Sequence, residues 1–183
     1  MSYCKAIEQM TPDARRLLHK RYHDIYYGFP IHNDDELFGR LILEINQAGL
    51  SWETILKKEQ NFRKAYANFE IKKIAAFSET DKVRLLNDAG IIRNRLKINA
   101  AIENAKTVLV LQKEFRSFEN WLNYHHPLTR EAWTKLFKKH FRFTGGEIVS
   151  EFLMSTGYLK GAHDETCDTH REILSKNPKW LEN

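Results

Sequence analysis

The chain has 183 residues, 42% of them hydrophobic. It is long enough for one domain with a sizeable core, and its four prolines and eight glycines exclude a largely disordered chain. A net charge of +5 favours an anionic partner, with DNA or RNA as first candidates, although many proteins without such a partner are equally basic. No apolar run approaches a membrane span and no signal-peptide core stands out, so we expect a cytoplasmic protein with no membrane association.

Two helices are predicted in the first part of the chain. The first covers Asp13–His23, with Thr11 as its N-cap and Pro12 at its first helical position. The second begins at Asn33, which can cap it while Glu36 reaches back, and it ends at a glycine that tolerates the left-handed cap conformation. Its apolar face is formed by residues at helical spacing: Leu37, Leu41, Ile45 and Ala48.

Two side chains near the end of the second helix are candidates for a ligand pocket. Glu44 lies at the border of the apolar face, where desolvation raises the pKa of a carboxyl group unless a cation or donor compensates. Trp52 opens the next helix, which Ser51 can cap. Taken alone, such a glutamate is more often a solvated rim residue and such a tryptophan part of the core, so this stretch by itself indicates only a buried helix pair.

A helical hairpin is predicted over residues 78–110. Ser78 and Asp81 form a capping box, a glycine-containing turn follows, and a long helix starts near Asn94. Unpaired backbone N–H groups at such a turn can bind a DNA phosphate without recognising sequence, whereas the alternative is an ordinary helix corner with solvated cations. The predicted DNA contacts are Gly90, Ile92, Arg93, Arg95 and Lys97.

The last third of the chain is also predicted to be helical. Helices are expected over Phe118–Tyr124, Thr129–His140 and Glu147–Ser155, followed by a polar stretch. The tail, residues 171–183, is expected to be poorly ordered. No convincing run of alternating hydrophobicity typical of a strand occurs, so the sequence predicts a single all-α domain over residues 1–183.

Cysteine and histidine residues near opposite ends of the chain indicate a metal site, because a disulfide fits a reducing compartment poorly. A tetrahedral site would tie segments 1–30 and 157–170 together, and it would be closed and structural because all four ligands are protein. The spacing is not that of a zinc finger, and His19 and His170 are rival ligands. The four candidate ligands are Cys4, His23, His163 and Cys167.

These motifs, in this order, resemble those of the DNA-3-methyladenine glycosylase I family. The Gln-Ala-Gly-Leu-Ser-Trp and Asp-Ala-Gly-Ile-Ile-Arg blocks are specific, and the matches span residues 4 to 167. The matching elements are Cys4, Tyr22-His23-Asp24, Gly28, Pro30, Glu44, Gln47 to Trp52, Ile55 to Lys58, Asp88 to Arg93, Lys97-Ile98, Phe141, Phe143, Gly145, His163 and Cys167.

The resemblance implies an all-α, helix-hairpin-helix DNA glycosylase fold with structural zinc on the four cysteine and histidine ligands. It implies a monofunctional base-excision-repair enzyme, expected to act as a monomer, that flips N3-methyladenine out of double-stranded DNA. The enzyme would hydrolyse the N-glycosidic bond and leave an abasic site. Glu44 would be the catalytic carboxylate, and the base-binding residues would be Tyr22, Tyr27, Trp52 and His19.

The chain departs from the family pattern at several positions. Tyr27 stands where the base-stacking tryptophan is usual, and His19 replaces a pocket tyrosine. Ala6 replaces a tryptophan, and Glu147 stands where a small hydroxyl residue is usual. These changes bear on substrate preference more than on the fold or the zinc site. The alternative function is therefore a diverged, catalytically weak or differently selective zinc-containing DNA-binding relative, and a zinc-tied helical protein unrelated to DNA is a more distant third.

Overall fold

The computed structural model describes residues 2–182, which form α-helices and two short 3-10 helices and contain no β-strand, so the all-α prediction is confirmed. None of the helices in that range has the length and apolar character needed to cross a membrane. The helices are α1 (Tyr3–Glu8), α2 (Ala14–Ile25), α3 (Asp34–Gln47), α4 (Trp52–Ala65), α5 (Ile71–Ala75), α6 (Glu79–Asn87), α7 (Arg95–Phe115), α8 (Phe118–His125), α9 (Arg130–His140), α10 (Gly146–Ser155) and α11 (Asp168–Leu174), with 3-10 turns at Ala67–Phe69 and Lys179–Leu181.

Three predicted helix starts carry the expected caps. The Asn33 side chain accepts from the backbone N–H of the third helical residue at 3.0 Å, the Ser51 side chain does the same for α4, and Ser78 forms a full capping box with Asp81. Glu36 does not reach back to the cap. Its carboxylate instead forms an ion pair with Arg63 at 2.6 Å.

The start of α2 differs from the prediction. Asp13, not Thr11, is the N-cap, and its carboxylate accepts from the Arg16 backbone N–H at 3.1 Å. The Thr11 hydroxyl donates to the same aspartate at 2.9 Å. An ionised aspartate is a stronger acceptor beside the positive end of a helix than a hydroxyl, which explains the shift of the helix start past Pro12.

Helix α3 is the centre of the fold. Every residue from Leu37 to Asn46 is buried, and the helix packs against α4, α5, α7, α8 and α10. Gly39 allows its close approach to the turn after α4, since a Cβ there would lie 2.4 Å from the Phe69 ring. Side chains on the second half of α3, including Glu44, are therefore held on a rigid, fully buried element.

The C-terminal tail is ordered, so the expectation that it lacks structure is wrong for residues 171–182; Asn183 lies outside the described residues. His170 stacks on Trp180 with ring centroids 5.8 Å apart, and the Trp180 backbone N–H donates to the Gly157 carbonyl at 3.2 Å. These contacts hold the last turn against the loop that precedes α11.

Candidate active site

A cavity of about 800 Å³ opens between α3, the segment after α2, and α10. Four of the predicted site residues line it: Tyr22, Tyr27, Glu44 and Trp52. The structure therefore brings together side chains from α2, α3, α4 and the loop after α2, which the sequence places in separate elements.

Glu44 is the buried carboxyl group of this cavity. It is 4% exposed, and burial raises its pKa to about 8. Arg40 and Ser155 oppose the rise, while the negative charge of Glu151 adds to it. Arg40 does not neutralise the carboxylate, because its guanidinium donates to the Tyr22 hydroxyl at 3.2 Å and the Ser155 carbonyl at 3.3 Å. A cationic ligand would supply the missing positive charge and convert Glu44 to the carboxylate.

Aromatic side chains form the remaining walls. The Tyr22 ring lies 5.0 Å from Trp52 and 5.5 Å from Tyr27, measured between centroids. Tyr3, which the sequence analysis did not single out, packs edge-on against Tyr27 at 5.5 Å and also lines the cavity. Such faces bind flat rings and attract cations. Nothing in the local sequence distinguished Tyr3, because α1 is too short to show an amphipathic pattern.

His19 does not line the cavity, which corrects its assignment as a base-binding residue. It is buried behind Tyr3, whose hydroxyl lies 2.8 Å from the imidazole Nδ1. Burial also lowers the pKa of His19, with Glu53 opposing this. The histidine therefore supports the wall of the cavity through Tyr3 and does not contact its contents.

A second carboxyl group, Glu151 on α10, lines the cavity and was missed in the sequence. The Tyr27 hydroxyl donates to its Oε2 atom at 3.2 Å, and burial together with the neighbouring Glu147 raises its pKa. No local signal could have placed it in the same cavity as Glu44, because the two residues share that cavity only when α10 packs on α3.

The helical hairpin forms as predicted, from α6, a turn over residues 88–94, and α7. Arg93 and Arg95 are exposed, and within residues 2–182 no acceptor is bonded to the backbone N–H of Ile92 or Arg93. The structure does not support the prediction that Gly90 contacts DNA. Its N–H donates to the Asp88 carboxylate at 2.7 Å and is therefore not free to bind a phosphate. The available donors therefore lie later in the turn than expected.

The structure also does not support Lys97 as a DNA contact. It is only 4% exposed, and its ammonium group donates to the carbonyls of Asn46 at 2.8 Å and Ala48 at 2.7 Å. These carbonyls end α3, where backbone acceptors lack helical partners. Lys97 thus fixes the turn between Glu44 and Trp52 and does not add charge to the surface.

Replacing Lys97 with methionine is expected to lower the free energy of unfolding by about 2 kcal/mol, because two buried carbonyls lose a charged donor. Urea denaturation measures this, and the matched control is Lys113→Met, which changes an exposed lysine of the same helix. Equal stability of the two variants would contradict the assigned role of Lys97.

The four candidate metal ligands come together. Their ligand atoms lie within 4.8 Å of one another. The His23 Nε2 atom is 3.2 Å from Cys4 Sγ and 3.1 Å from His163 Nδ1, and Cys167 Sγ lies 3.8 and 3.9 Å from those two nitrogens. In a tetrahedral zinc site, ligand atoms are about 3.3 Å (N to N) to about 3.8 Å (S to S) apart. This cluster could therefore hold a metal ion.

The surroundings of the cluster also suit a metal. The second nitrogen of His23 lies 2.8 Å from the Asp24 carboxylate, and that of His163 lies 2.7 Å from the Tyr27 carbonyl. Such partners fix the ring orientation of metal-bound histidines. Neither rival ligand, His19 nor His170, belongs to the cluster within residues 2–182.

Comparisons with known proteins point to one family. The sequence profile of the methyladenine glycosylase family matches residues 13–134. DNA-3-methyladenine glycosylase 1 of Escherichia coli (strain K12) is 36% identical, with 78% of this chain and 86% of that protein aligned. A structure of a tyrosine-to-phenylalanine variant of 3-methyladenine DNA glycosylase I in complex with 3-methyladenine has a TM-score of 0.78 and 29% identity, covering 87% of this chain and 94% of that one.

A structure of 3-methyladenine DNA glycosylase I from Staphylococcus aureus has a TM-score of 0.75 and 28% identity, covering 87% of this chain and 93% of that one. An all-helical chain with these matches is of the DNA glycosylase class. Within that class, the chain belongs to the methyladenine glycosylase family.

Proposed function

We propose that this protein is a monofunctional DNA glycosylase that removes N3-methyladenine from double-stranded DNA and leaves an abasic site. The observation that carries the proposal is Glu44, a carboxyl group buried on a core helix in a cavity with aromatic walls. The name of the Escherichia coli relative and the 3-methyladenine bound in the structural neighbour support the choice of base.

The chemistry suits these side chains. N3-methylated adenine in DNA is cationic, so its N-glycosidic bond is already weak. Water attacks C1′, the bonding electrons pass to the base, and the base leaves as neutral 3-methyladenine while the water gives up a proton. As the bond breaks, positive charge moves from the base towards the sugar. The Glu44 carboxylate stabilises this positive charge. Unmodified adenine is neutral and offers no such charge to stabilise.

The aromatic walls and Glu44 divide the recognition between them. Tyr22 and Trp52 offer faces on which the flipped base stacks and which attract its charge. Tyr27 closes the opposite side, in the position that the resemblance assigns to a tryptophan. Glu44 accepts a hydrogen bond from the exocyclic amine, so the site binds the base by both shape and charge.

The direct test is release of free base from methylated duplex DNA. We expect 3-methyladenine in the soluble fraction and abasic sites in the DNA, without strand cleavage. Protein denatured before the assay controls for spontaneous loss of the labile base. Binding of duplex DNA with no base release would instead indicate the diverged DNA-binding relative.

DNA binding is assigned to the helical hairpin. Backbone N–H groups of Ile92 and Arg93 would contact a phosphate, and the Arg93 and Arg95 side chains would add charge. This phosphate site would lie in the turn before α7, the helix whose Lys97 holds the turn beside the cavity.

Replacing Arg93 and Arg95 together with glutamine should lower the magnitude of the slope of log K against log salt concentration by about 2, because each lost phosphate contact removes about 0.9. Fluorescence anisotropy with unmodified duplex DNA over a salt series measures the slope. Lys113→Gln, near the other end of the same helix, is the control. An unchanged slope in the double variant would place the DNA elsewhere.

We assign zinc to the site formed by Cys4, His23, His163 and Cys167, where two thiolates and two imidazoles match the preference of Zn²⁺. With all four positions occupied by protein, the ion would be structural, and when bound it ties α1 and α2 to the segment before α11. The protein is further proposed to act as a monomeric single domain in the cytoplasm.

A further inference from the structure

The cavity is lined by more carboxyl groups than the proposed reaction has used. Glu44 on α3 and Glu151 on α10 both line it, from different helices, and Glu147 lies one turn before Glu151. Within residues 2–182 none of these three carboxyl groups forms an ion pair. The nearest cation on α9, Arg130, instead donates to the sulfur atom of Met154 at 3.6 Å.

A hydrogen bond from Tyr27 holds the Glu151 side chain in place. Its Oε2 atom accepts from the Tyr27 hydroxyl at 3.2 Å. That hydroxyl belongs to the residue that stands where the family resemblance leads one to expect a stacking tryptophan. The tyrosine and the glutamate are therefore hydrogen-bonded to each other, and both line the cavity.

A structural role does not account for Glu151. Placing a second carboxyl group beside Glu44 costs stability, since each raises the energy of ionising its neighbours in a partly dry cavity. Its pKa is raised by burial and by Glu147, with Tyr27 and Arg130 opposing. A glutamine would keep the Tyr27 hydrogen bond without this cost, so the charge is retained for something that the cavity binds.

We propose that Glu151 is a specificity-determining residue, a second carboxylate that makes the cavity select cationic bases over neutral ones of similar shape. The inference rests on the proposed function and extends it from one carboxylate to a pair. Glu44 contacts the base from α3, and Glu151 supplies negative charge from the opposite wall. A neutral purine would leave both carboxyl groups uncompensated, whereas an alkylated, cationic purine compensates them together.

The test compares binding of two small probes by isothermal titration calorimetry. The first is 3,9-dimethyladeninium, a permanent cation that carries a methyl group where the sugar would be, and the second is neutral 9-methyladenine. We expect the natural protein to prefer the cation. Glu151→Gln should weaken cation binding about tenfold and leave binding of the neutral base within about twofold.

A matched control separates the local effect from a change in net charge. Glu114→Gln removes the same charge from an exposed residue of α7 that forms no ion pair within residues 2–182, and it should leave both probes unaffected. Glu151→Gln should unfold at the same temperature as the natural protein or a higher one, which shows that weaker binding does not arise from misfolding.

Several outcomes would overturn the inference. They are equal weakening of both probes, unchanged cation binding in Glu151→Gln, or no preference for the cation in the natural protein. Base release from methylated DNA is measured on the same preparations. If the natural protein releases 3-methyladenine while Glu151→Gln keeps its cation preference, only this inference fails. If the natural protein releases no base, the proposed function fails separately.

Discussion

Replacing Glu44 with glutamine is expected to lower the single-turnover rate constant for 3-methyladenine release about 100- to 1000-fold, the usual loss when one preorganised charge is removed from a dry site. The substitution keeps the size of the side chain and its place on the buried helix α3, so the aromatic walls remain. Glu114→Gln, an exposed residue, is the matched control and should retain full activity.

The pH dependence provides a second signature of Glu44. Because the pKa of its carboxyl group is about 8 and the carboxylate is the form that binds a cation, kcat/KM should rise about tenfold per pH unit below 8 and level off above it. The Glu44→Gln variant should lose this rise. A flat profile in the natural protein would show that Glu44 does not act through its charge.

The same shift has a consequence for stability. The pKa of Glu44 is raised on folding, so its favourable contribution is complete below the unfolded-state pKa and is lost as pH rises towards 8. Glu44→Gln should therefore be more stable than the natural protein at pH 8, on the order of 4 kcal/mol, and similar to it near pH 4.5. Urea denaturation at the two pH values measures this, and a less stable variant at pH 8 would contradict the burial of an uncompensated charge.

Removal of the proposed zinc ion is the second change with a large expected effect. Chelation should lower the midpoint of thermal unfolding by more than about 10 °C, because structural zinc contributes its binding free energy directly to folding. The ligands come from α1, α2 and the segment before α11, so the loss would free both ends of the chain. It would also loosen Tyr22, which adjoins His23 in α2, and Tyr27, whose carbonyl accepts the His163 hydrogen bond, so base release should fall as well.

Metal analysis and a ligand variant make this expectation specific. The natural protein should contain one zinc ion per chain by mass spectrometry, and Cys167→Ala should contain much less. A chelator should leave the melting temperature of Cys167→Ala almost unchanged, because the ion it would remove is already absent. A natural protein without metal and indifferent to chelators would refute the assignment.

Local interactions made most of the helices predictable. Caps such as Asn33, Ser51 and Ser78 act within three residues, so their effect is visible in the sequence, and the apolar face of α3 has the helical period. The position of Glu44 at the border of that face was compatible with either a desolvated carboxyl group or a solvated rim residue, and the structure buries it. The four candidate metal ligands were identified by residue type and by the family resemblance, because their spacing matches no zinc-finger pattern, and the structure brings them together.

Packing decided what the sequence could not show. In the sequence, Lys97 resembled the other cations of a basic hairpin. In the structure its side chain points inward, because it donates to two backbone carbonyls at the end of α3. His19 lies behind the wall because Tyr3 from α1 occupies the cavity side. The tail is ordered by stacking of the His170 and Trp180 rings. The two rings meet only because the chain between them turns back.

The sequence by itself determined the all-helical class and the N-caps of α3, α4 and α6, because each depends on residue type and on neighbours within one or two turns. Only the tertiary structure decided which acids share the cavity. Glu44 and Glu151 line the same cavity because α3 packs against α10, and the Tyr27 hydroxyl donates a hydrogen bond to Glu151. Contacts between elements far apart in the chain depend on how whole helices pack, and no periodicity or spacing in the sequence records them.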